Sequence, residues 1–257
     1  MPWHRYVAIG DSSTEGLDDP HPAGGYRGWA DRLAERLEAS HGGVAYANLA
    51  VRGRTADRIR AEQLAPALAL DPDLISIVAG VNDMLRPTFD PVRLAEDLEA
   101  MLGAGVDAGA TVVTITWPDP SRMHPAARLL RRRVAGLNAA IRTASERTGA
   151  HVLDLAAEPV ATDTRLWSDD RLHASSLGHE RIADALAQLL GIDGHDGSWA
   201  RPLPPVPPPA PRQRIVAEAA WLRDHLAPWV ARRVRGHSSG DHVTAKRPTL
   251  RPVEPSH

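Results

Sequence analysis

The sequence near the N-terminus reads Tyr6-Val7-Ala8-Ile9-Gly10-Asp11-Ser12-Ser13-Thr14-Glu15-Gly16. The apolar residues before Gly10 predict a short β-strand, and the polar residues after it predict the start of a helix. A serine here lies just past the strand, where the backbone N–H groups of the helix start can bind a developing anion. Ser12 is therefore a candidate nucleophile, although a lone serine at this point is more often a helix N-cap.

Further apolar segments alternate with helical patterns along the chain. We predict strands at residues 6–9, 44–51, 74–79, 111–116 and 151–154. This alternation favours a five-stranded parallel sheet between two layers of helices, a three-layer α/β/α sandwich. Ligands bind such sheets beyond the carboxyl ends of the strands. Polar residues that follow a strand are therefore candidates for a functional site.

His173 is the candidate general base for Ser12. A neutral imidazole can accept the serine proton near neutral pH and return it to a leaving group. The chain has 12 histidines, so any one of them could be a solvated loop residue. His173 differs because Asp170 lies three residues earlier and can orient the ring. Asp169 is a competing carboxylate, and the spacing favours Asp170.

Gly53 and Asn82 are candidate donors to an oxyanion, together with the backbone N–H of Ser12. Each follows a predicted strand, Asn82 within Gly80-Val81-Asn82-Asp83. Acyl transfer places negative charge on the carbonyl oxygen, and a fixed donor there contributes ~10²–10³ in rate. Glycine and asparagine are also common in turns, so each alone is weak evidence. Their order along the chain, with Ser12 and His173, is the stronger signal.

Tryptophans occur at two further positions close to these motifs. Trp117 follows the fourth predicted strand and Trp167 precedes the Asp–His loop. Either could line an acyl pocket, and ordinary packing is an equal alternative. We predict no metal site, because no group of His, Asp and Glu has convincing ligand spacing.

Composition excludes several classes of protein. The chain has 257 residues, a formal net charge of -2 and no cysteine. Disulfides and thiol catalysis are thus excluded, and no overall basic charge favours binding to nucleic acid. No apolar stretch approaches the ~20 residues of a membrane span, and the N-terminus lacks the pattern of a signal peptide. We therefore expect a cytoplasmic protein.

The C-terminal quarter differs in composition from the rest. We predict a catalytic domain over residues 1–193, a proline-rich linker over 194–211, an amphipathic helix over 212–235 and a flexible tail over 236–257. The apolar stripe of the helix consists of Ile215, Ala219, Leu222, Leu226 and Trp229 or Val230. This helix could pack on the domain, pair with a second copy of the chain or rest on a membrane surface, and packing is the safest expectation.

The motifs together resemble the signature blocks of the SGNH (GDSL-type) hydrolases over residues 5 to 191. The blocks are Gly10-Asp11-Ser12-x-Thr14-x-Gly16, Asn48 through Gly53-x-Thr55, Gly80-x-Asn82-Asp83 and Asp170-x-x-His173. The resemblance implies a flavodoxin-like fold and hydrolysis of esters, thioesters or acetyl groups without a cofactor. It assigns the family's serine, glycine, asparagine, histidine and aspartate to Ser12, Gly53, Asn82, His173 and Asp170.

This sequence departs from the family pattern in the Asp–His loop. Arg171 stands where glycine is common, and Ala174 stands where proline often follows the histidine. Both change the stiffness of the loop that carries His173. We predict a serine hydrolase that cleaves short-to-medium acyl, acetyl or thioester substrates. The alternative is a non-catalytic module that binds an acylated ligand or a partner on the same fold.

Overall fold

Strands from both ends of the chain form one sheet in the computed structural model, which describes residues 2–22, 24–207, 210–226, 228 and 239–254. The strands are β1 (Arg5–Gly10), β2 (Ala45–Asn48), β3 (Leu74–Val78), β4 (Thr111–Ile115), β5 (His151–Leu153) and β6 (Arg247–Pro252). Their order across the sheet is β5-β4-β3-β1-β2-β6. β1 to β5 pair in parallel, as predicted, which brings their carboxyl ends to one edge.

Helices cover the sheet. They are α1 (Ser12–Glu15), α2 (Gly28–His41), α3 (Ala56–Ile59), α4 (Ala65–Leu68), α5 (Val81–Met84), α6 (Pro91–Asp107), α7 (Arg131–Thr148), α8 (Ser176–Leu189) and α9 (Pro211–Trp221). α2 packs against α8, and α6 packs against α7. The result is the predicted three-layer arrangement. Within the described part of the chain, no helix is both long and apolar enough to cross a bilayer.

β3 lies at the centre of the core. All five of its residues are buried, which confirms the expectation for an apolar parallel strand covered on both faces. The side chains of Tyr6 on β1 and Tyr46 on β2 stack at 5.1 Å between ring centroids. The Tyr6 hydroxyl lies 2.9 Å from the Ser76 hydroxyl, so its polar end has a partner inside the core.

The sixth strand corrects two predictions, the five-stranded sheet and the flexible tail over 236–257. β6 pairs antiparallel with the outer side of β2. Its prolines, Pro248 and Pro252, are compatible with an edge strand, because a strand with one neighbour does not need every N–H. Its residues are half-buried or exposed, so it lacks the apolar pattern by which the other strands could be predicted.

Prolines also alter two helical stretches, one within residues 55–70 and one in the helix predicted over 212–235. A π-helical turn spans Arg60–Leu64 and ends two residues before Pro66. Another spans Leu222–Leu226 and ends two residues before Pro228. Proline gives no N–H to the carbonyl four residues earlier and crowds it, which favours a widened turn. Trp229 and Val230, from the predicted apolar stripe, lie outside the described residues.

Lys246, the only lysine of the chain, directly precedes β6 and connects this strand to α1 and α2. Its Nζ donates to the backbone carbonyl oxygens of Glu15 at 2.6 Å and Arg27 at 2.8 Å. It also pairs with the carboxylate of Asp31. The cation thus satisfies carbonyl groups at the end of α1 and the start of α2.

His179 joins α8 to the N-terminal part of the fold. Its Nδ1 accepts from the backbone N–H of Trp29 at 3.1 Å, and its Nε2 lies 3.0 Å from the carbonyl oxygen of Leu17. This pairing requires a neutral ring with its proton on Nε2. Burial, aided by the nearby Arg32, lowers the pKa of His179 to about 4.

The lowered pKa of His179 predicts a loss of stability in mild acid. Below the unfolded pKa of about 6.5, the unfolded chain takes up a proton that the native ring refuses, so the free energy of unfolding should fall as the pH drops toward the native pKa, by at most ~1.4 kcal/mol per pH unit. We expect His179→Gln to lack this component. Urea unfolding at pH 7, 6 and 5 measures the free energy of unfolding of both proteins. The difference between the two proteins at each pH isolates the contribution of His179, because the buried carboxyl groups that titrate in the same range contribute equally to both. Equal pH dependence in the two proteins would contradict the prediction.

Candidate active site

Ser12 is the first residue of α1, directly beyond the carboxyl end of β1. The side chain of Asp11 caps this helix by accepting from the N–H of Ser13 at 3.1 Å. The strand end is held from the side by Gln63, which lies in the π-helical turn. The Gln63 amide accepts from the N–H of Gly10 at 2.8 Å and donates to the carbonyl of Gly10 at 2.9 Å. The backbone that presents Ser12 is therefore fixed on two sides.

The structure brings Ser12, His173 and Asp170 together. The Ser12 Oγ lies 2.8 Å from His173 Nε2, and His173 Nδ1 lies 2.5 Å from Asp170 Oδ2. This order of contacts matches a nucleophile, a base and an orienting carboxylate. The carboxylate in contact with the ring is that of Asp170, the candidate that the spacing favoured over Asp169.

The loop that carries Asp170 and His173 is closed by a short antiparallel bridge between Trp167 and Ala174. Its hydrogen bonds run from Ser168 N to His173 O, and from Ser175 N to Leu166 O, both at 2.9 Å. Neither bond uses the N–H of Ala174. The loop is therefore closed by backbone pairing, without the proline that often follows the histidine in the resembling family.

Charge stabilises the protonated form of His173. Burial lowers the pKa of His173, but the hydrogen bond and the charge of Asp170 outweigh it, and the net pKa is raised. Burial likewise raises the pKa of Asp170, and the contacts with His173 and Ser168 more than reverse this, so that its net pKa is well below the usual range. A carboxylate that stays ionised beside the ring stabilises the protonated form of the imidazole.

A second carboxylate, that of Asp18, faces the same histidine. Asp18 Oδ2 lies 3.7 Å from His173 Nδ1. The Ser168 Oγ lies 2.6 Å from Asp18 Oδ2 and 2.6 Å from Asp170 Oδ1. A hydroxyl carries one proton and donates to one of them at a time. Ser168 therefore links the two carboxylates on the side of His173 away from Ser12.

The loop of Gly53 is anchored through the residue before it. The Arg52 backbone N–H donates to Glu15 Oε2 at 2.9 Å, and Arg52 Nε donates to Glu15 Oε1 at 3.0 Å. Glu15 is buried at the end of α1, so its ion pair with Arg52 joins the loop to the helix that begins with Ser12. Gly53 itself has φ 75°, a left-handed conformation that a side chain would strain.

Asn82 lies between the start of α1, which carries Ser12, and the loop that contains Gly53. Its Nδ2 donates to Asp11 Oδ2 at 2.9 Å and to the Arg54 carbonyl oxygen at 3.1 Å. Its amide thus bridges the residue before Ser12 and the residue after Gly53, although both N–H groups have protein acceptors. Burial raises the pKa of Asp11 to about 6, opposed by its hydrogen bonds to Ser13 and Asn82.

Trp117 and Trp167, the two candidates for lining an acyl pocket, both make packing contacts in the structure. Trp117 is part of the hydrophobic core, and its backbone is paired with Asn138 at both N–H and carbonyl. Trp167 donates to the carbonyl of Ala161 and borders an apolar cavity of about 20 Å³ whose lining includes neither Ser12 nor His173. Ordinary packing accounts for both tryptophans, and a role in an acyl pocket stays a prediction.

Potential metal ligands coincide with the same loop. Among the described residues, Asp18, Asp170 and His173 offer ligand atoms within 4.8 Å of one another. These side chains are also hydrogen-bonded, His173 to Ser12 and Asp170, and Asp18 to Ser168. The same side chains can therefore serve proton transfer with Ser12, and the absence of a metal site stays a prediction.

Sequence reasoning missed residues that hold the site rather than form it. Gln63, Glu15 and Ser168 act through backbone or carboxylate partners that lie distant in the chain, which for Ser168 is Asp18. Only Glu15 carried a signal, since it lies inside the first motif. Asp83, the last residue of the Gly80–Asp83 motif, accepts from the N–H of Ala56 at 3.0 Å, which caps α3.

Comparisons with known proteins bear on the family and the fold of this chain. The sequence model of the GDSL-like Lipase/Acylhydrolase family matches residues 8–181, which include Ser12, Gly53, Asn82, Asp170 and His173. A search of curated proteins gave no match.

Solved structures show the same fold at low sequence identity. The esterase EstA from Pseudoalteromonas sp. aligns with TM-score 0.58 and 19% identity over 73% of this chain and 97% of its own. TesA gives 0.61 and 20% over 73% and 98%. The acetylxylan esterase Axe2 from Geobacillus stearothermophilus gives 0.61 and 20% over 77% and 96%.

Proposed function

The chain belongs to the GDSL-like lipase/acylhydrolase family, and on that basis we propose that it is a serine hydrolase that cleaves carboxylic esters through an acyl-enzyme intermediate. The observation that carries the proposal is the position of the His173 ring, which lies 2.8 Å from the Ser12 hydroxyl and 2.5 Å from the Asp170 carboxylate. A histidine held between a hydroxyl and a carboxylate is suited to activate the hydroxyl.

In the first half-reaction, the Ser12 Oγ attacks the ester carbonyl carbon while its proton passes to His173 Nε2. The alcohol then leaves with the proton that His173 returns, and an acyl group remains on Ser12. In the second half-reaction, His173 takes a proton from water, which attacks the acyl carbon, and returns this proton to the Ser12 Oγ as the acid is released. Asp170 stabilises the imidazolium in both halves, and the reaction needs no cofactor.

Negative charge develops on the carbonyl oxygen in each half-reaction. We assign its donors to the backbone N–H groups of Ser12 and Gly53 and to the side-chain amide of Asn82. Because the amide of Asn82 has protein acceptors at 2.9 and 3.1 Å, donation to substrate requires it to share or exchange one of them. Arg54 adjoins Gly53, another proposed donor to the oxyanion. We therefore assign the Arg54 carbonyl as the acceptor that the Asn82 amide gives up in favour of the substrate oxygen.

The proposed substrates carry short-to-medium acyl, acetyl or thioester groups. Axe2, a structural neighbour, is described as an acetylxylan esterase, so acetylated xylo-oligosaccharide is one compound to test. Pairing of two copies through the C-terminal helix and a cytoplasmic location remain predictions of the sequence.

The test combines turnover with covalent labelling. We expect hydrolysis of p-nitrophenyl acetate and butyrate, and labelling by a fluorophosphonate at the peptide that contains Ser12, identified by mass spectrometry. A series of p-nitrophenyl esters of increasing chain length, together with an acyl thioester and acetylated xylo-oligosaccharide, measures acyl preference. Absence of both turnover and labelling would contradict the proposal and favour the non-catalytic module.

A further inference from the structure

The helix α9 lies outside the 8–181 stretch that matches the family, yet it contacts the loop that carries Asp170. Trp221, its last residue, donates from Nε1 to the Asp170 carbonyl oxygen at 3.1 Å. One turn earlier, Glu218 pairs with Arg171 through both guanidinium Nη atoms, at 2.9 and 2.8 Å. The helix therefore contacts two consecutive residues, Asp170 and Arg171, of the loop that also carries His173.

Arg171 is enclosed by these contacts. Its guanidinium carbon lies 4.7 Å from the centroid of the Trp221 ring, within the range of a cation–π interaction. The Arg171 side chain is 16% exposed, whereas its partner Glu218 is 53% exposed, so solvent still reaches the ion pair from the side of α9. Burial, followed by the charge of Arg171, lowers the pKa of the nearby His124, whereas Glu218 opposes this.

The loop needs support because of the backbone of Arg171. This residue has φ 63°, in the left-handed region that favours glycine. The peptide between Arg171 and Leu172 also helps to fix the orienting carboxylate, because its N–H donates to Asp170 Oδ1 at 2.9 Å, as the N–H of His173 does at 3.0 Å. A shift of this peptide would move the carboxylate away from the ring.

We propose that Glu218 and Trp221 are positioning residues for Asp170: α9 holds Arg171 in its left-handed conformation and thereby keeps the Asp170 carboxylate on His173. The inference rests on the proposed function, since it assigns these residues to the same site. It gives the C-terminal segment a part in catalysis without any contact to substrate. It also explains how the loop can carry arginine where the resembling family often has glycine.

The first experiment compares substitutions that remove one contact each, in the full chain. Trp221→Phe keeps an aromatic ring but loses the donor to Asp170, and Glu218→Gln loses the charge beside Arg171. We expect each to lower kcat for p-nitrophenyl acetate about fivefold, as for one lost hydrogen bond or charge contact, with little change in KM.

Matched controls exist for both substitutions. Trp3→Phe removes an indole donor at the amino end of the sheet, where Trp3 Nε1 bonds to Thr111 at 3.0 Å. Asp224→Asn removes an acidic charge next to α9 that pairs with exposed Arg223. We expect kcat to be unchanged in both. A kcat of wild-type size in both Trp221→Phe and Glu218→Gln, or an equal fall in the controls, would overturn the proposal.

A second experiment tests whether Glu218 acts on Asp170 through Arg171. Arg171→Gly suits the left-handed backbone and removes the partner of Glu218, so Glu218→Gln should have no further effect on kcat in that background. Fully additive effects of the two substitutions would overturn the assignment. A general loss of stability would instead lower activity in both backgrounds.

The readout that does not depend on turnover is the far-downfield proton resonance of His173 Nδ1–H. We expect it to shift or broaden in Trp221→Phe and Glu218→Gln, and to be unchanged in Trp3→Phe and Asp224→Asn. If the wild-type protein shows neither turnover nor fluorophosphonate labelling, the proposed function fails, and this resonance still decides whether α9 positions Asp170. An unchanged resonance in the two α9 variants would overturn the inference even in an active hydrolase.

Discussion

Replacing Ser12 with alanine is expected to lower kcat/KM for p-nitrophenyl acetate by about 10⁴-fold or more, because Ser12 supplies the one hydroxyl that lies on His173 among the residues that the structure describes. The Ser12 Oγ is the atom that lies 2.8 Å from His173 Nε2. Steady-state hydrolysis and fluorophosphonate labelling of both proteins give the measurement. Labelling should be lost together with turnover.

The adjacent serine provides the control. The Ser13 hydroxyl accepts from Trp29 Nε1 at 3.4 Å, which directs it to the packing between α1 and α2. Ser13→Ala should therefore retain turnover within a few-fold of wild type and keep the labelled peptide. Hydrolysis by Ser12→Ala at the wild-type rate, or a loss in Ser13→Ala as large as in Ser12→Ala, would remove Ser12 from the mechanism.

The central sheet could be predicted because its strands repeat a simple physical pattern. β3 is apolar at Leu74, Ile75, Ile77 and Val78, as a strand covered on both faces requires, and the structure buries all of it. β6 could not be predicted in this way. Arg247, Pro248 and Thr249 give no apolar run, and the strand depends on tertiary contacts such as the bond from Arg247 Nε to the Tyr46 carbonyl at 2.8 Å.

The chemistry-bearing residues of the candidate site could also be found from sequence, because each follows a strand or lies in one short loop. Their supports could not. The amide of Gln63 bonds to Gly10, 53 positions away, and Trp221 bonds to Asp170, 51 positions away. No local pattern encodes such contacts, since both residue types are common on helices with other roles. The distinction is physical: motifs specify the reacting groups, whereas packing determines how rigidly they are held.

Asp170→Asn is expected to lower kcat by ~10⁴-fold while the loop keeps its shape. The asparagine oxygen can still accept from the N–H groups of Leu172 and His173, which the Asp170 Oδ1 now serves at 2.9 and 3.0 Å. Its amide nitrogen would then face His173 Nδ1 and donate to it. The ring would carry its proton on Nε2, the atom that must accept the proton of Ser12.

The same substitution should change the pH dependence of the residual activity in a defined direction. Burial lowers the pKa of His173, and the hydrogen bond and charge of Asp170 raise it above the usual value. Without that carboxylate the burial effect remains, so the pKa should fall and the acidic limb of the kcat/KM profile should move to lower pH. Asp169→Asn is the control and should keep both the wild-type rate and the wild-type limb. A severe loss in Asp169→Asn with near-normal activity in Asp170→Asn would transfer the orienting role to Asp169, since only the carboxylate on Nδ1 can both fix the tautomer and raise the pKa of the ring.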